Sequence, residues 1–402
     1  MQYFDSKYLS KRAIRLRPSP TIFQTKQSTE LQKKGVDVIN LASGEPLHAP
    51  PLSIIPVIKE RLDKGMLRYT ATPGTDELRR SIIHLYKKRW GLEFSTQEVM
   101  ACTGAKQAIS QAFLATIDPE DEVIIPVPYW PSFSDMVEFA DGKAIYCNST
   151  DYFTLDIEHF KKLLTSKTKW LLLNTPGNPA GNVYSLKELK KIGKILLDWP
   201  NVLILSDEVY GDMVWDSNKS HVPFIRAVPE LKSRTLTINS LSKSYSMPGW
   251  RLGFAAGPAE LISTMTKIQD QLTANPNLLS QIAASEALAI EPLTLSDKNI
   301  YIKNMEFLIN GLNETIFFKC SPVSGGIFAF IKCDALIGVN TVFGVIKNDQ
   351  DVSSWLLQHA YVNSVPGSVF GLNGYIRMSF AHPLNKIEEA VCRIKEAIKQ
   401  IR

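Results

Sequence analysis

Lys243 lies in the run Ser240-Leu241-Ser242-Lys243-Ser244-Tyr245-Ser246-Met247-Pro248-Gly249-Trp250-Arg251-Leu252-Gly253-Phe254, an amine among hydroxyls with a guanidinium shortly after it. A lysine amine condenses with a carbonyl only when deprotonated, and burial beside a second cation such as Arg251 favours that form. Ser240, Ser242 and Arg251 carry the donors that hold a phosphate, Arg through a two-pronged fork and Ser through its hydroxyl. The chemistry suggested is a Schiff-base lysine next to a phosphate site. A solvated Ser/Lys loop ahead of a strand has the same composition, so this stretch alone leaves both readings open.

Other residues along the chain could complete such a site. In Thr103-Gly104-Ala105-Lys106 a glycine precedes a helical pattern, so backbone N–H groups at the helix start can approach an anion; the run also serves as a plain strand-to-helix turn. Trp130, in Pro126-Val127-Pro128-Tyr129-Trp130-Pro131, can stack on a planar ring or plug the end of a sheet. Asn178, held between prolines and glycines in Asn174 to Asn182, presents an amide to a phenolic oxygen, or serves only its turn. Asp207 follows the apolar run Val202 to Leu205, and an ionised carboxylate there demands a cation such as a protonated pyridine nitrogen; a helix cap is the alternative. Tyr210, three residues on, can face the same ring edge. Arg377 alternates with Ile376, Met378 and Phe380 in a half-buried strand pattern and calls for a carboxylate or phosphate, unless the strand is a solvent-facing edge.

These groups need elements to position them. Apolar runs bounded by turn residues at 99–102, 122–128, 144–147, 169–174, 202–206, 235–239 and 252–256 predict buried strands, with amphipathic helices between several of them. The clearest helix is 185–199, opened by a Ser185/Glu188 capping box, with Leu186, Leu189, Ile192, Ile195, Leu196 and Trp199 on one face. Alternating strands and helices predict a mostly parallel sheet covered on both faces. After Pro276 long helical stretches at 278–290 and 297–312, strands near 325–332 and 361–379, and a last helix at 386–401 predict a smaller α+β region. The expected division is an N-terminal segment 1–45 joining the small domain, a large domain 46–290 and a C-terminal small domain 291–402.

Composition sets the class. The 402 residues are 45% hydrophobic, enough for more than one core. The 45 basic and 40 acidic residues are mixed along the chain for a net charge of +5, with no basic block, which argues against nucleic acid. The odd, scattered cysteines Cys102, Cys147, Cys320, Cys333 and Cys392 predict buried thiols in a reducing compartment and neither a disulfide frame nor a metal site. No signal-type run and no apolar run near the ~20 residues of a spanning helix is evident, so a cytoplasmic protein free of the membrane is expected.

Taken in order, the motifs resemble the pyridoxal-phosphate-dependent class I/II aminotransferases of fold type I, the aspartate aminotransferase-like superfamily. The resemblance runs from Leu9-Ser10-Lys11-Arg12 and Arg17-Pro18-Ser19, through Val36 to Pro46, to Val365-Pro366-Gly367 and Arg377. It implies pyridoxal 5'-phosphate as cofactor and a large seven-stranded, mostly parallel sheet sandwiched by helices. It implies Lys243 as Schiff-base former and proton shuttle, and Asp207 as partner of the pyridine nitrogen. Asn178 and Tyr210 match the pair on the phenolic oxygen. Gly104, Ala105, Lys106, Ser240 and Arg251 match the phosphate cup, with Ser242 counted among the cofactor-binding residues, and Trp130 matches the stacking ring. Arg377 matches the grip on the substrate α-carboxylate, with Gly44 giving a backbone contact and Trp130 and Asn178 beside it. Tyr69 resembles the tyrosine that reaches the neighbouring subunit's cofactor phosphate, which implies a homodimer with shared sites.

Two positions depart from the family pattern. Gly44-Glu45-Pro46-Leu47-His48 replaces the common Gly-Glu-Pro-Asp-Phe, in a segment that approaches the substrate, and Asn178-Pro179-Ala180-Gly181 replaces Asn-Pro-Thr-Gly. The resemblance implies transfer of an amino group from an L-amino acid, aspartate, to a 2-oxo acid, 2-oxoglutarate. A dicarboxylate needs a second cation, for which Arg17 and Lys106 are candidates. The alternatives are an aromatic aminotransferase, with Phe23, His48 and Tyr129 in the pocket, and a C–S β-lyase on the same fold. A non-catalytic effector module fused to a DNA-binding unit is disfavoured because only about forty residues precede Gly44.

Overall fold

The apolar runs become one seven-stranded sheet: β1 (Val99–Cys102), β2 (Glu122–Pro126), β3 (Lys143–Cys147), β4 (Thr168–Asn174), β5 (Leu203–Asp207), β6 (Thr235–Ser240) and β7 (Gly253–Ala256). The computed structural model describes residues 6–401 except 17, 19, 66, 293, 294, 342 and 343, and not the side chains of 6, 20, 21, 23, 295 and 296. The spatial order is β1-β7-β6-β5-β4-β2-β3. β7 runs antiparallel to both of its neighbours and the other pairs are parallel. Successive side chains point to opposite faces, and both faces are apolar. Leu172, Leu205 and Ile238 pack with Phe113 on one side, while Leu171, Leu173 and Ile204 pack with Leu189, Ile192 and Phe224 on the other.

Register fixes what the sheet presents at its carboxyl edge. Asn174 stands opposite Asp207, and Asp207 opposite Ile238. β5 therefore runs one residue further than the apolar pattern predicts. Asp207 stays in the ladder because its carbonyl accepts from Thr175 N at 3.0 Å. β2 stops at Pro126, short of the expected 128, since Pro126 and Pro128 bring no N–H to a ladder. The helix Leu186–Leu197 is also shorter than predicted. Ser185 caps it, with Glu188 returning the bond, and Leu186 faces outward at 45% exposure while Leu189, Ile192 and Leu196 are buried.

A second sheet stands beside the first. β8 (Phe328–Lys332), β9 (Val365–Pro366) and β10 (Tyr375–Ser379) form an antiparallel sheet in the order β9-β10-β8. The strand that carries Arg377 is thus the central one, which excludes the edge-strand reading. Helices Leu295–Asn313 and Leu384–Lys399 cover this sheet, with Leu308, Leu312, Ile387 and Ile394 against Ile376, Met378 and Phe380. The N-terminal segment returns to it: Ile39–Asn40 pairs in parallel with Val362–Asn363, and Leu41 O accepts from Ser379 N at 2.7 Å. Residues 42–45 are thereby carried in between Arg377 and Lys243. Among the described residues, no helix is long and apolar enough to cross a membrane.

Candidate active site

A cavity of about 700 Å³ opens where the carboxyl edge of the large sheet meets the small sheet. Gly44, Ala105, Lys106, Trp130, Asn178, Asp207, Tyr210, Ser240, Ser242, Lys243, Arg251 and Arg377 all line it. Residues spread over more than three hundred positions are thus in one place, as their types require.

Lys243 follows β6 in a tight turn, and its ammonium donates to Gly44 O and lies 5.7 Å from the centre of the Tyr210 ring. Burial pulls its pKa down to about 8, with Arg377 and then Arg251 adding to the effect and Glu45 opposing it. The role read for Arg251 from the sequence has the right sign, but burial and Arg377 contribute more. Asp207 is 5% exposed, and burial pushes its carboxyl up to about 7, with Glu208 adding and the Val209 N–H opposing. That amide donates to Asp207 Oδ1 at 3.2 Å. No cation is paired with Asp207 among the described residues, so a positive group in the cavity is what its ionised form requires.

Arg377 is 2% exposed. Its Nη1 donates to Asn178 Oδ1 at 3.0 Å and its Nη2 to Ala42 O at 2.8 Å, while Phe328 lies under the guanidinium at 3.8 Å. Burial lowers its pKa to about 10, and its Nε is buried without a partner. Asn178 is itself placed by Asn174, whose Oδ1 accepts from Asn178 N at 2.8 Å and whose Nδ2 donates to Asp207 O at 3.2 Å. A chain of hydrogen bonds therefore joins the backbone at Asp207 to the guanidinium of Arg377. Tyr210 is buried alongside, and burial raises its hydroxyl above the usual phenol range.

At the other end of the cavity Gly104 caps helix Ala105–Thr116 with φ +83°. A Cβ on Gly104 would stand 2.6 Å from Arg251 Nη2, so backbone and guanidinium converge more closely than any side chain permits. The first N–H groups of a helix have no partner within it, which makes this convergence an anion cradle. Lys106 lies over the Trp130 ring at 4.9 Å, and burial followed by Arg251 lowers its pKa.

Over residues 36–394 the chain matches the model of the family described as Aminotransferase class I and II. The chain belongs to this family. It is 40% identical over 397 residues to a probable aspartate/prephenate aminotransferase of Rickettsia typhi, covering 97% of this chain and 98% of that one. It is 37% identical to the aspartate/prephenate aminotransferase of Nitrosomonas europaea, covering 96% and 98%. The solved aspartate aminotransferase of Rhizobium meliloti superposes with a TM-score of 0.94 at 35% identity, covering 98% of this chain and 99% of that one. The chain is an aminotransferase of fold type I, and its cofactor is pyridoxal phosphate. The cavity fits that group. It offers an amine of lowered pKa for the aldehyde, an uncompensated buried carboxylate for the ring nitrogen, and the Gly104/Arg251 cradle for the phosphate.

The site also corrects the sequence reading. His48 packs edge-on to Tyr301 at 5.5 Å and faces Asp297 at 3.6 Å, outside the cavity. Tyr129 stacks on Tyr146 at 5.1 Å, likewise outside it. Arg17 and the Phe23 side chain lie outside the described residues. Tyr69 is 91% exposed and lines no part of this chain's cavity. Sequence reasoning missed Asn174, Phe328 and the helix Pro20–Lys33, whose Ile22, Thr25, Lys26 and Thr29 line the cavity. The spacing i, i+3, i+4, i+7 of those four is one helical face and was the available signal.

Proposed function

We propose that this chain carries the amino group of aspartate to 2-oxoglutarate in two half-reactions, and that prephenate, a 2-oxo acid with a second carboxylate, is a further acceptor. The observation that carries the reading is the buried Arg377, with its unpartnered Nε, opening on the same cavity as the Lys243 amine and the Asp207 carboxylate. The names of the relatives, aspartate and aspartate/prephenate aminotransferases, support the choice of substrates. So does the placement of His48 and Tyr129 outside the cavity, which removes two aromatic contacts from the competing aromatic-substrate reading.

When bound, pyridoxal phosphate supplies an electron sink for the pair left as the α-proton departs. Arg377 grips the α-carboxylate by charge-assisted hydrogen bonds, with Gly44 beside it, and so orients the Cα–H toward Lys243. The Lys243 amine takes that proton and returns it, a task its lowered pKa suits. Asp207 would pair with the ring nitrogen and keep it protonated. Asn178, whose Oδ1 is taken by Arg377, has its Nδ2 for the ring oxygen, together with the Tyr210 hydroxyl. Gly104, Ala105, Lys106, Ser240, Ser242 and Arg251 would hold the phosphate, and Trp130 would lie against the ring.

We further infer a cytoplasmic homodimer in which Tyr69 completes the neighbouring site. Tyr69, Leu52 and Ile55 are exposed at 91%, 76% and 58%, apolar surface that a second copy of the chain would cover. Within each subunit, 46–290 serves as the cofactor-binding domain and 1–45 with 291–402 as the smaller one. The test is a half-reaction screen of the common amino acids on the cofactor-loaded protein, followed by the absorbance change on conversion to the amine form. Aspartate and glutamate should react fastest. A fastest reaction with phenylalanine, or pyruvate and ammonia from cystathionine without that change, overturns the assignment.

A further inference from the structure

Asp207 is followed directly by a second buried carboxylate that faces away from the cavity. Glu208 is fully buried and lines no part of the cavity. Ser206 Oγ donates to it at 2.8 Å and Phe224 N at 3.3 Å, and the ring nitrogen Nε2 of His221 stands 3.2 Å from its other oxygen, where it donates in the tautomer that carries its hydrogen on Nε2. The His221 side chain is 3% exposed and stands edge-on to Trp90 at 5.9 Å. It approaches over Gly211, where a Cβ would lie 2.9 Å from its Cδ2. Its other nitrogen, Nδ1, is buried without a partner, so Glu208 is the polar contact that fixes the ring.

Two carboxylates at consecutive buried positions disfavour each other's ionised form, and their surroundings decide which one keeps the charge. Here the donors are divided unequally. Glu208 has the Ser206 hydroxyl, the Phe224 N–H and the His221 ring, and Asp207 has a single backbone N–H. Other charges nearby are already engaged: Arg89 pairs with Asp212, and Lys219 donates to Ser324 Oγ at 2.9 Å. Tyr86 faces Glu208 with a neutral phenol, and Arg226 lines the outer groove beside His221.

We propose that Glu208 and His221 form a positioning dyad for Asp207, lodging a fixed negative charge beside it so that a proton is favoured between Asp207 and the cofactor's ring nitrogen. This rests on the reading of Asp207 as the partner of that nitrogen. The dyad touches neither substrate nor cofactor and acts only through Asp207.

The test begins with cofactor-free protein. Asp207 holds its proton more tightly folded, at about 7, than at its ordinary 3.8, so its contribution to stability is present at low pH and is lost as pH rises through about 7. The difference in thermal unfolding between wild type and Asp207→Asn, followed against pH, locates that loss. In a Glu208→Gln background the loss should move to lower pH by about half a unit, and pyridoxal phosphate affinity should weaken about threefold. An unmoved loss with wild-type affinity overturns the dyad alone. A moved loss with unchanged affinity overturns the assignment of Asp207 to the ring nitrogen, and the proposal with it. Should Glu208→Gln not fold, His221→Phe and His221→Gln carry the test. Gln keeps a donor and should hold wild-type affinity, Phe should lose about as much as Glu208→Gln, and equal affinities overturn the dyad.

Discussion

The two walls of the cavity are built in different ways. The wall that faces the cofactor comes from strand ends and the turns that follow them: Asp207 closes β5, Ser240 closes β6, Lys243 lies in the next turn, and Gly104 follows β1. The wall that faces the substrate is assembled across the chain, with Arg377 bonded to Ala42 at a separation of 335 residues and to Asn178 at 199. The first wall hangs on the buried ladder, and Lys243 reaches from it to Gly44 O of the N-terminal segment. The second depends on the N-terminal segment, the small sheet and the Asn174–Asn178 relay meeting correctly. Cofactor chemistry is therefore written in local motifs, while substrate choice is a property of the assembled fold.

The largest expected effect comes from the first wall. Lys243→Ala removes the proton carrier and should lower turnover by about 10⁴-fold, the upper end of what one acid–base group supplies, in a steady-state assay with cofactor bound. Arg377→Lys tests the second wall. It keeps the charge and loses the fork, so kcat/KM for aspartate should fall about 10²-fold with cofactor affinity unchanged. A matching loss of cofactor affinity would show that the walls are not separable.

The walls do share one electrostatic link. Lys243 stands at about 8 partly because Arg377 is near, so capture of pyridoxal phosphate by the apo-protein should rise about tenfold per pH unit below 8 and level off above it. Arg377→Met removes the cation and should move that inflection upward, measured by borohydride trapping at Lys243 over a pH series. The smallest effect belongs to Phe328, whose ring lies 3.8 Å from the Arg377 guanidinium. Phe328→Leu should cost about fivefold in kcat/KM, near the ~1 kcal/mol of one cation–π contact.

The same contrast explains what the sequence revealed. The inner strands of the large sheet were legible because strands buried on both faces read as continuous apolar runs, and the residues at their ends came with them; the edge strand Lys143–Cys147, exposed at Lys143 and Tyr146, was legible from Ala144 to Cys147. Arg377 was legible as a type in a pattern, whereas its setting was not. Phe328 looks like any aromatic in a strand until Gly44 brings the N-terminal segment over it, where a Cβ would stand 3.1 Å from the ring. His48 failed as a pocket residue for the complementary reason. Its neighbours Tyr301 and Asp297 belong to a helix about 250 residues away, and no local pattern announces that they draw it out of the cavity. The division of donors between Asp207 and Glu208 was equally invisible, because it depends on His221 arriving from a loop.

The most direct test mixes aspartate, deuterated at Cα, with cofactor-loaded wild type and with cofactor-loaded Lys243→Ala in a single half-reaction. Wild type should convert with a primary isotope effect, and Lys243→Ala should show no conversion on the same timescale. Conversion by Lys243→Ala at a rate comparable to wild type would contradict the assignment of the proton to Lys243.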